Sequence, residues 1–194
     1  MTHRTFIISD THFGHGNIYR FTGLDGERVR PWAETAQVAD EMMIEAWNAT
    51  VRPDDKVYHL GDVAIPRAGL KCLGRLNGRK ILIRGNHDIF KLADYAPHFR
   101  DVRGTHKVGR IVLSHYPIHP DNLPHWSMGN VHGHIHERRV MRRTWSGRRA
   151  PDPRYFNACV EAIGLAPISI EEVEAHLTAR QTATSRLMPA WWNR

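Results

Sequence analysis

Four short apolar runs in this chain, and a fifth segment from Asn130 to His132, each lead into residues that can bind a metal. Arg4 to Ser9 ends in Asp10, Thr11 and His12. Lys56 to Leu60 ends in Gly61 and Asp62, and Arg79 to Arg84 ends in Gly85, Asn86, His87 and Asp88. Arg110 to Ser114 ends in His115, and Asn130 to His132 leads into Gly133, His134, Ile135 and His136. Runs this short and this rich in Ile, Leu and Val read as buried strands. Glu34 to Ala49 reads as an amphipathic helix, with Val38, Met42, Ala46 and Ala49 at helical spacing, and Arg67 to Leu76 reads as a second helix. Strands alternating with helices predict a layered α/β domain. Such folds place their sites where strands end.

Residues two apart on an extended chain point the same way. On that basis Asp10 and His12 converge on one ion, and His134 and His136 serve a shared site. Carboxylate, amide and imidazole donors suit first-row divalent metals such as Mn, Fe or Zn. Thiolate-held zinc is not indicated, because Cys72 and Cys159 have no partner at ligand spacing. Asp10, His12, Asp62, Asn86, His87, His115, His134 and His136 all lie just past a predicted strand or turn, and seven candidate ligands are too many for one tetrahedral ion. They suit two ions that share a bridging carboxylate. The remaining polar residues of these loops are open to plainer readings, as turn residues or packed histidines.

Charge separates the next set of candidates. The chain has 194 residues and a formal net charge of +7. Seven arginines fall between Glu137 and Arg154, beginning with Arg138 and Arg139. Two readings stand side by side, a phosphate-binding footprint and an arginine-rich solvated hairpin. Arg138 to Thr144 and Arg154 to Val160 flank a Ser146-Gly147 turn signal and are expected to pair. Ser169 with Glu172 reads as a capping box that opens a last helix. One domain is expected over 1–180, followed by a loose tail over 181–194 that carries Trp191 and Trp192. No apolar run is long enough for a membrane helix and no leader is apparent, so a cytoplasmic protein is expected.

The order D-x-H, G-D, G-N-H-D, H, G-H-x-H resembles the calcineurin-like metallophosphoesterase superfamily, from Phe6 to about Ile170. The opening Ser9 to Ile18, with Trp47-Asn48, Tyr58 to Asp62 and His115-Tyr116-Pro117, is similar to a compact bacterial and phage branch of predicted phosphoesterases. That branch usually has Asp where Glu161 stands. The resemblance implies an α/β fold, a two-layered mixed β-sandwich flanked by helices. It implies Asp10, His12 and His136 on one metal and Asn86, His115 and His134 on a second, with Asp62 bridging. It places His87 near the leaving group, oriented by Asp88.

The function so implied is phosphoester hydrolysis by a hydroxide held between two divalent ions, Mn first and Fe, Zn or Ni as alternatives. A phosphodiester of nucleotide or nucleic-acid type is the favoured substrate. His15 and Asn17, with Arg138 and Arg139, are candidate substrate contacts. Trp145 and Tyr155 are candidates for stacking on bases. The alternatives are a phosphomonoesterase, and a nucleic-acid-binding module with a secondary metal site.

Overall fold

The computed structural model describes residues 3–23 and 25–186. Its first sheet is built on β1 (Thr5–Ile8), β2 (Lys56–His59), β3 (Arg79–Ile83) and β4 (Asp101–Arg103), all parallel. The second contains β5 (Thr105–Val108), β6 (Ile111–Ser114) and β7 (Gly129–His132). β8 (Met141–Arg143) and β9 (Arg149–Pro151) form a separate antiparallel hairpin. β10 (Tyr155–Asn157) joins the second sheet beside β7, and β11 (Ile168–Ser169) joins the first beside β1. The strand orders are β11-β1-β2-β3-β4 and β10-β7-β6-β5. Gly104 alone separates β4 from β5, so the chain passes directly from one sheet to the other. This is a mixed α/β fold with mixed sheets and flanking helices.

The period-two alternation of strands assigns each face. Phe6 and Ile8 pack with α1 (Ala36–Thr50) and α2 (Leu70–Leu73) in one core cluster. Ile7 belongs to another, with Tyr58, Leu60 and Ile83 of the first sheet against Ile111, Leu113, Val131 and Phe156 of the second. The two sheets therefore share a core, and α5 (Ile170–Arg186) closes it with Val173 and Leu177. Two short helices, α3 (Leu92–Tyr95) and α4 (Val160–Ile163), complete the α-helices among the described residues.

Several expectations change. The buried side of α1 is Ala36, Ala39, Asp40, Met43, Ile44 and Trp47, whereas Val38 is 51% exposed. The true stripe runs at i, i+3, i+4 from Ala36, one position away from the face read in the sequence. The second helix is shorter than expected, a 3-10 turn over Arg67–Gly69 followed by Leu70–Leu73. The Ser146-Gly147 turn does make a hairpin, but between 141–143 and 149–151. Tyr155–Asn157 pairs in parallel with β7 instead, because Tyr155 and Phe156 are apolar enough to be buried. The capping box is present, with Glu172 Oε2 accepting from Ser169 N at 3.1 Å and Ser169 Oγ accepting from Glu172 N at 3.2 Å. The helix it opens continues through 181–186, where a loose tail was expected. Trp191 and Trp192 lie outside the described residues.

Candidate metal centre

Parallel strands in register deliver their ends to one edge. Ile8 is opposite His59, and His59 is opposite Leu82, so Asp10, Asp62 and Asn86 leave the first sheet together. β6 and β7 are also parallel and deliver His115 and His134 in the same way. Beyond the strands the backbone turns sharply. The non-glycine residues with positive φ, among the described residues, are Asp10 (58°), His12 (48°), Asp62 (55°), His134 (72°) and His136 (51°). All five belong to the predicted ligand set. A left-handed residue other than glycine costs about 1–2 kcal/mol and persists where its surroundings over-determine it. Asp10 and His12 converge, but through these left-handed turns and not through the extended alternation read in the sequence.

The cluster leaves acceptors facing each other. Asp10, His12 and His136 form one group able to hold a metal, and Asp10, Asp62 and His115 another. Asp10 Oδ2 accepts from Ser9 Oγ at 2.5 Å, from His134 N at 2.9 Å and from Cys159 Sγ at 3.2 Å. Its Oδ1 has no hydrogen-bond partner, nor do the ring nitrogens of His12, although all three atoms are buried and Oδ1 lies 3.6 Å from His12 Nε2. Asp62 Oδ2 is 3.7 Å from His12 Nε2 and 3.5 Å from His115 Nε2. Its Oδ1 accepts from His87 N at 2.8 Å.

The other side has the same logic. His115 Nδ1 lies 2.8 Å from the Leu60 carbonyl, which fixes the N–H there in the neutral ring. His115 Nε2 is then an acceptor, yet it lies 2.8 Å from another acceptor, Asn86 Oδ1, which is also 3.0 Å from His134 Nδ1. Lone pairs brought this close call for a cation between them. Orphaned buried atoms and converging N and O donors fit a site for divalent metal.

The two carboxylates respond in opposite directions. Burial would raise the pKa of Asp10, but the imidazoles of His12, His115 and His136 outweigh it and hold it well below the usual carboxylate range. Asp62 is raised, by burial first and then by the charge of Asp10. Burial also opposes protonation of His136, yet the bond to Glu161 prevails and raises its pKa.

Asp88 differs from expectation. Its carboxylate accepts from Asp62 N (2.8 Å), Val63 N (3.0 Å) and Gly85 N (2.8 Å), so it holds the Gly61-Asp62 turn and does not orient His87. His87 is exposed, with its ring centroid 5.6 Å from that of His12. His15 also reaches the cluster, its ring 5.9 Å from His12, with Nδ1 accepting from Ile18 N. Asn17 is exposed at the start of the 3-10 turn Ile18–Arg20 and makes no side-chain capping bond. Tyr155 is not free to stack, being buried with its hydroxyl donating to the Ile118 carbonyl at 2.6 Å. Trp145 is exposed in the hairpin. Arg138 and Arg139 line a cavity beside the centre and share its wall with Glu161.

Two residues that position the centre carry no motif. Arg30 is fully buried and donates to the carbonyls of Asp10 (2.5 Å) and Thr11 (2.9 Å) and to Glu161 Oε1 (2.8 Å). Glu161 Oε1 also lies 3.0 Å from His136 Nδ1. The pair thus ties the first motif to the last. Arg30 gives no periodic or spacing signal in the sequence. Glu161 stands at the one position where the resemblance is loose. Gly133 marks another contact of this kind, since a Cβ there would collide with Ser9 Oγ and Asp10 Oδ2.

No protein-family model matches the chain. Over 174 residues, 87% of this chain and 88% of its relative, it is 30% identical to the uncharacterized protein MJ1445 of Methanocaldococcus jannaschii. The chain belongs to the MJ1445 family. It is also 29% identical over 179 residues to the gene 66 protein of Mycobacterium phage D29, covering 74% of this chain and 83% of that one. The gene 66 protein of phage L5 is 26% identical over 177 residues, at 72% and 80% coverage. Among solved structures, the protein of unknown function AQ665 from Aquifex aeolicus matches with a TM-score of 0.62 and 25% identity, over 90% of this chain and 99% of that one. The MJ1445 family thus has relatives in an archaeon and in phages. Helices long and apolar enough to cross a membrane are absent among the described residues.

Proposed function

We propose that this chain is a dinuclear metal-dependent phosphoesterase with the calcineurin-like metallophosphoesterase fold, acting on phosphodiesters of nucleotide or nucleic-acid type. The observation that carries the reading is Asp62 Oδ2, nearly equidistant from His12 Nε2 at 3.7 Å and His115 Nε2 at 3.5 Å. Both groups that the structure brings together for a metal include Asp10, but three donors already engage its Oδ2 and leave Oδ1 for a metal. Asp62 is therefore the better bridge. Asp10, His12 and His136 would hold one ion, and Asn86, His115 and His134 the other. Mn fits this hard and borderline donor set, with Fe, Zn or Ni as substitutes.

When bound, the two ions supply Lewis-acid stabilisation of phosphoryl charge and a water of lowered pKa. The protein supplies the rest. Asp88 and Arg30 hold the two turns that aim the carboxylates. His87 has no side-chain hydrogen bond among the described residues, so a ring N–H is available. As the P–O bond breaks, the imidazolium form of His87 gives its ring proton to the departing alkoxide oxygen and is left as the neutral ring. Esters whose leaving alkoxide is a poor one benefit most.

The test compares bis-p-nitrophenyl phosphate with p-nitrophenyl phosphate, using protein loaded with Mn²⁺. Metal-dependent turnover is expected on both, faster on the diester. Faster monoester turnover reverses the substrate preference. Absence of hydrolysis on either substrate by loaded protein defeats the enzyme reading.

A further inference from the structure

The arginine-rich segment divides in the structure. Arg142, Arg143, Arg148 and Arg149 belong to the β8–β9 hairpin or its turn. Arg138 and Arg139 instead line a cavity of about 380 Å³, joined there by His176 and Arg180 of α5. Nothing in the sequence linked α5 to this segment.

The charges on the wall do not cancel. Asp152 is held by Arg154, with Oδ2 at 2.7 Å from Nη2. Glu161 is held by Arg30 and His136. That leaves Glu137 as the lining carboxylate without an ion pair among the described residues. Against it stand Arg138 and Arg139, exposed and without side-chain partners among the described residues, and Arg180, which gives one N–H to the Tyr155 carbonyl. Burial first, and then the charge of Arg139, lower the pKa of Arg180. Arg139 and Arg180 thus bring like charge to one wall, which an anion would neutralise. Aromatic surface adjoins them, since the Phe156 ring lies 5.7 Å from the Arg180 guanidinium and 5.7 Å from the His176 ring.

The cavity is coupled to the metal centre. Glu161 lines it and touches His136. Asn157 Nδ2 donates to the carbonyls of both His136 and Arg138, at 2.5 and 2.9 Å. Arg138 follows His136 by two residues, so their Cα atoms are within ~7 Å.

We propose that this cavity is an anion subsite that holds a backbone phosphate of a nucleic-acid strand, next to the phosphodiester at the metal centre. The inference rests on the phosphodiesterase reading and deepens it, naming an oligonucleotide as substrate in place of a small diester. Arg139 and Arg180 are the phosphate contacts. The hairpin arginines are not part of the subsite.

The test is equilibrium binding of a fluorescent short oligothymidylate to the full chain in EDTA, by anisotropy across a salt series. Arg139→Ala and Arg180→Ala are each expected to weaken binding about tenfold and to flatten the salt dependence by about one unit of slope. Arg148→Ala and Arg149→Ala are expected to change it less than about twofold. Arg139 makes no bond within the described fold, so its truncation tests binding without disturbing folding. Equal weakening by the hairpin variants overturns the subsite in favour of a diffuse basic surface. Lack of binding by the unmodified protein overturns it as well. Hydrolysis of bis-p-nitrophenyl phosphate is read separately, so loss of the subsite and loss of the phosphoesterase reading are distinct results.

Discussion

Asp62 and Glu161 act on the centre in different ways, and substitution separates them. Asp62 Oδ2 faces imidazoles of both ligand groups. Asp62→Ala is expected to lose both metals and all turnover, whereas His87→Ala keeps its metals and loses turnover. Elemental analysis of the purified variants decides this, and full occupancy in Asp62→Ala would falsify the bridging role. Glu161 Oε1 meets both the His136 ring and the Arg30 guanidinium, while its Oε2 is buried without a hydrogen-bond partner. Glu161→Gln is expected to weaken Mn²⁺ affinity about 10–100-fold, measured by calorimetry, with Asp62 still in place. Affinity equal to that of the unmodified protein removes Glu161 from the positioning set. Asp10, His12, Asp62, Asn86, His115, His134 and His136 were legible because each lies just past a predicted strand or turn. Arg30 was not, because a buried arginine is recognisable only from what surrounds it. The role of Asp88 was misassigned for a related reason, since its partners, Asp62 and Val63, lie on another strand's loop.

At the level of elements, α1 shows how an apolar pattern can be read one position out. Both Val38 and Met43 are apolar, but Met43 is 1% exposed and Val38 is 51% exposed. Met43→Ala is expected to cost about 2–5 kcal/mol of stability through the cavity it leaves. Val38→Ser is expected to stay within about 0.5 kcal/mol. Urea denaturation of the two variants measures the difference, and similar costs would place the buried stripe elsewhere. The inner side of α1 also carries Asp40, whose carboxylate accepts from Gly14 N at 3.0 Å and so anchors the loop that holds His15. A carboxylate on the apolar side of a helix blurs the periodicity. β10 was mispaired for a different reason. Its partner β7 is distant in sequence and parallel, and no turn signal announces such a pairing.

For the molecule as a whole, the strand ends are packed on neutral histidines. His59 is fully buried, with Nδ1 accepting from Gly61 N at 3.2 Å and Nε2 at 3.0 Å from Thr11 Oγ1. Burial lowers its pKa from 6.5 to about 4, and burial lowers that of His132 to about 4 as well. An unfolded chain binds protons at these rings below pH ~6.5, while the folded chain resists until pH ~4. Their contribution is therefore complete above pH ~6.5 and is lost as pH falls toward 4, on the order of a few kcal/mol in all. Thermal melts of metal-free protein are expected to show a falling midpoint across that window. A midpoint independent of pH there would contradict the burial of both rings.

The sequence by itself determined the α/β class, the strands whose ends carry the motifs, and the identities of the clustered donors. Those are local properties, since apolar runs form strands and polar residues end them wherever the strands finally lie. Only the tertiary structure decided that left-handed turns aim Asp10, Asp62 and His136, that Asp88 holds a backbone turn, and that Arg30 with Glu161 ties the first motif to the last. It also decided that Arg138 and Arg139 meet Arg180 around one cavity. Each of these depends on contacts between segments far apart in the chain, which fix distance and direction in a way that spacing along the sequence does not.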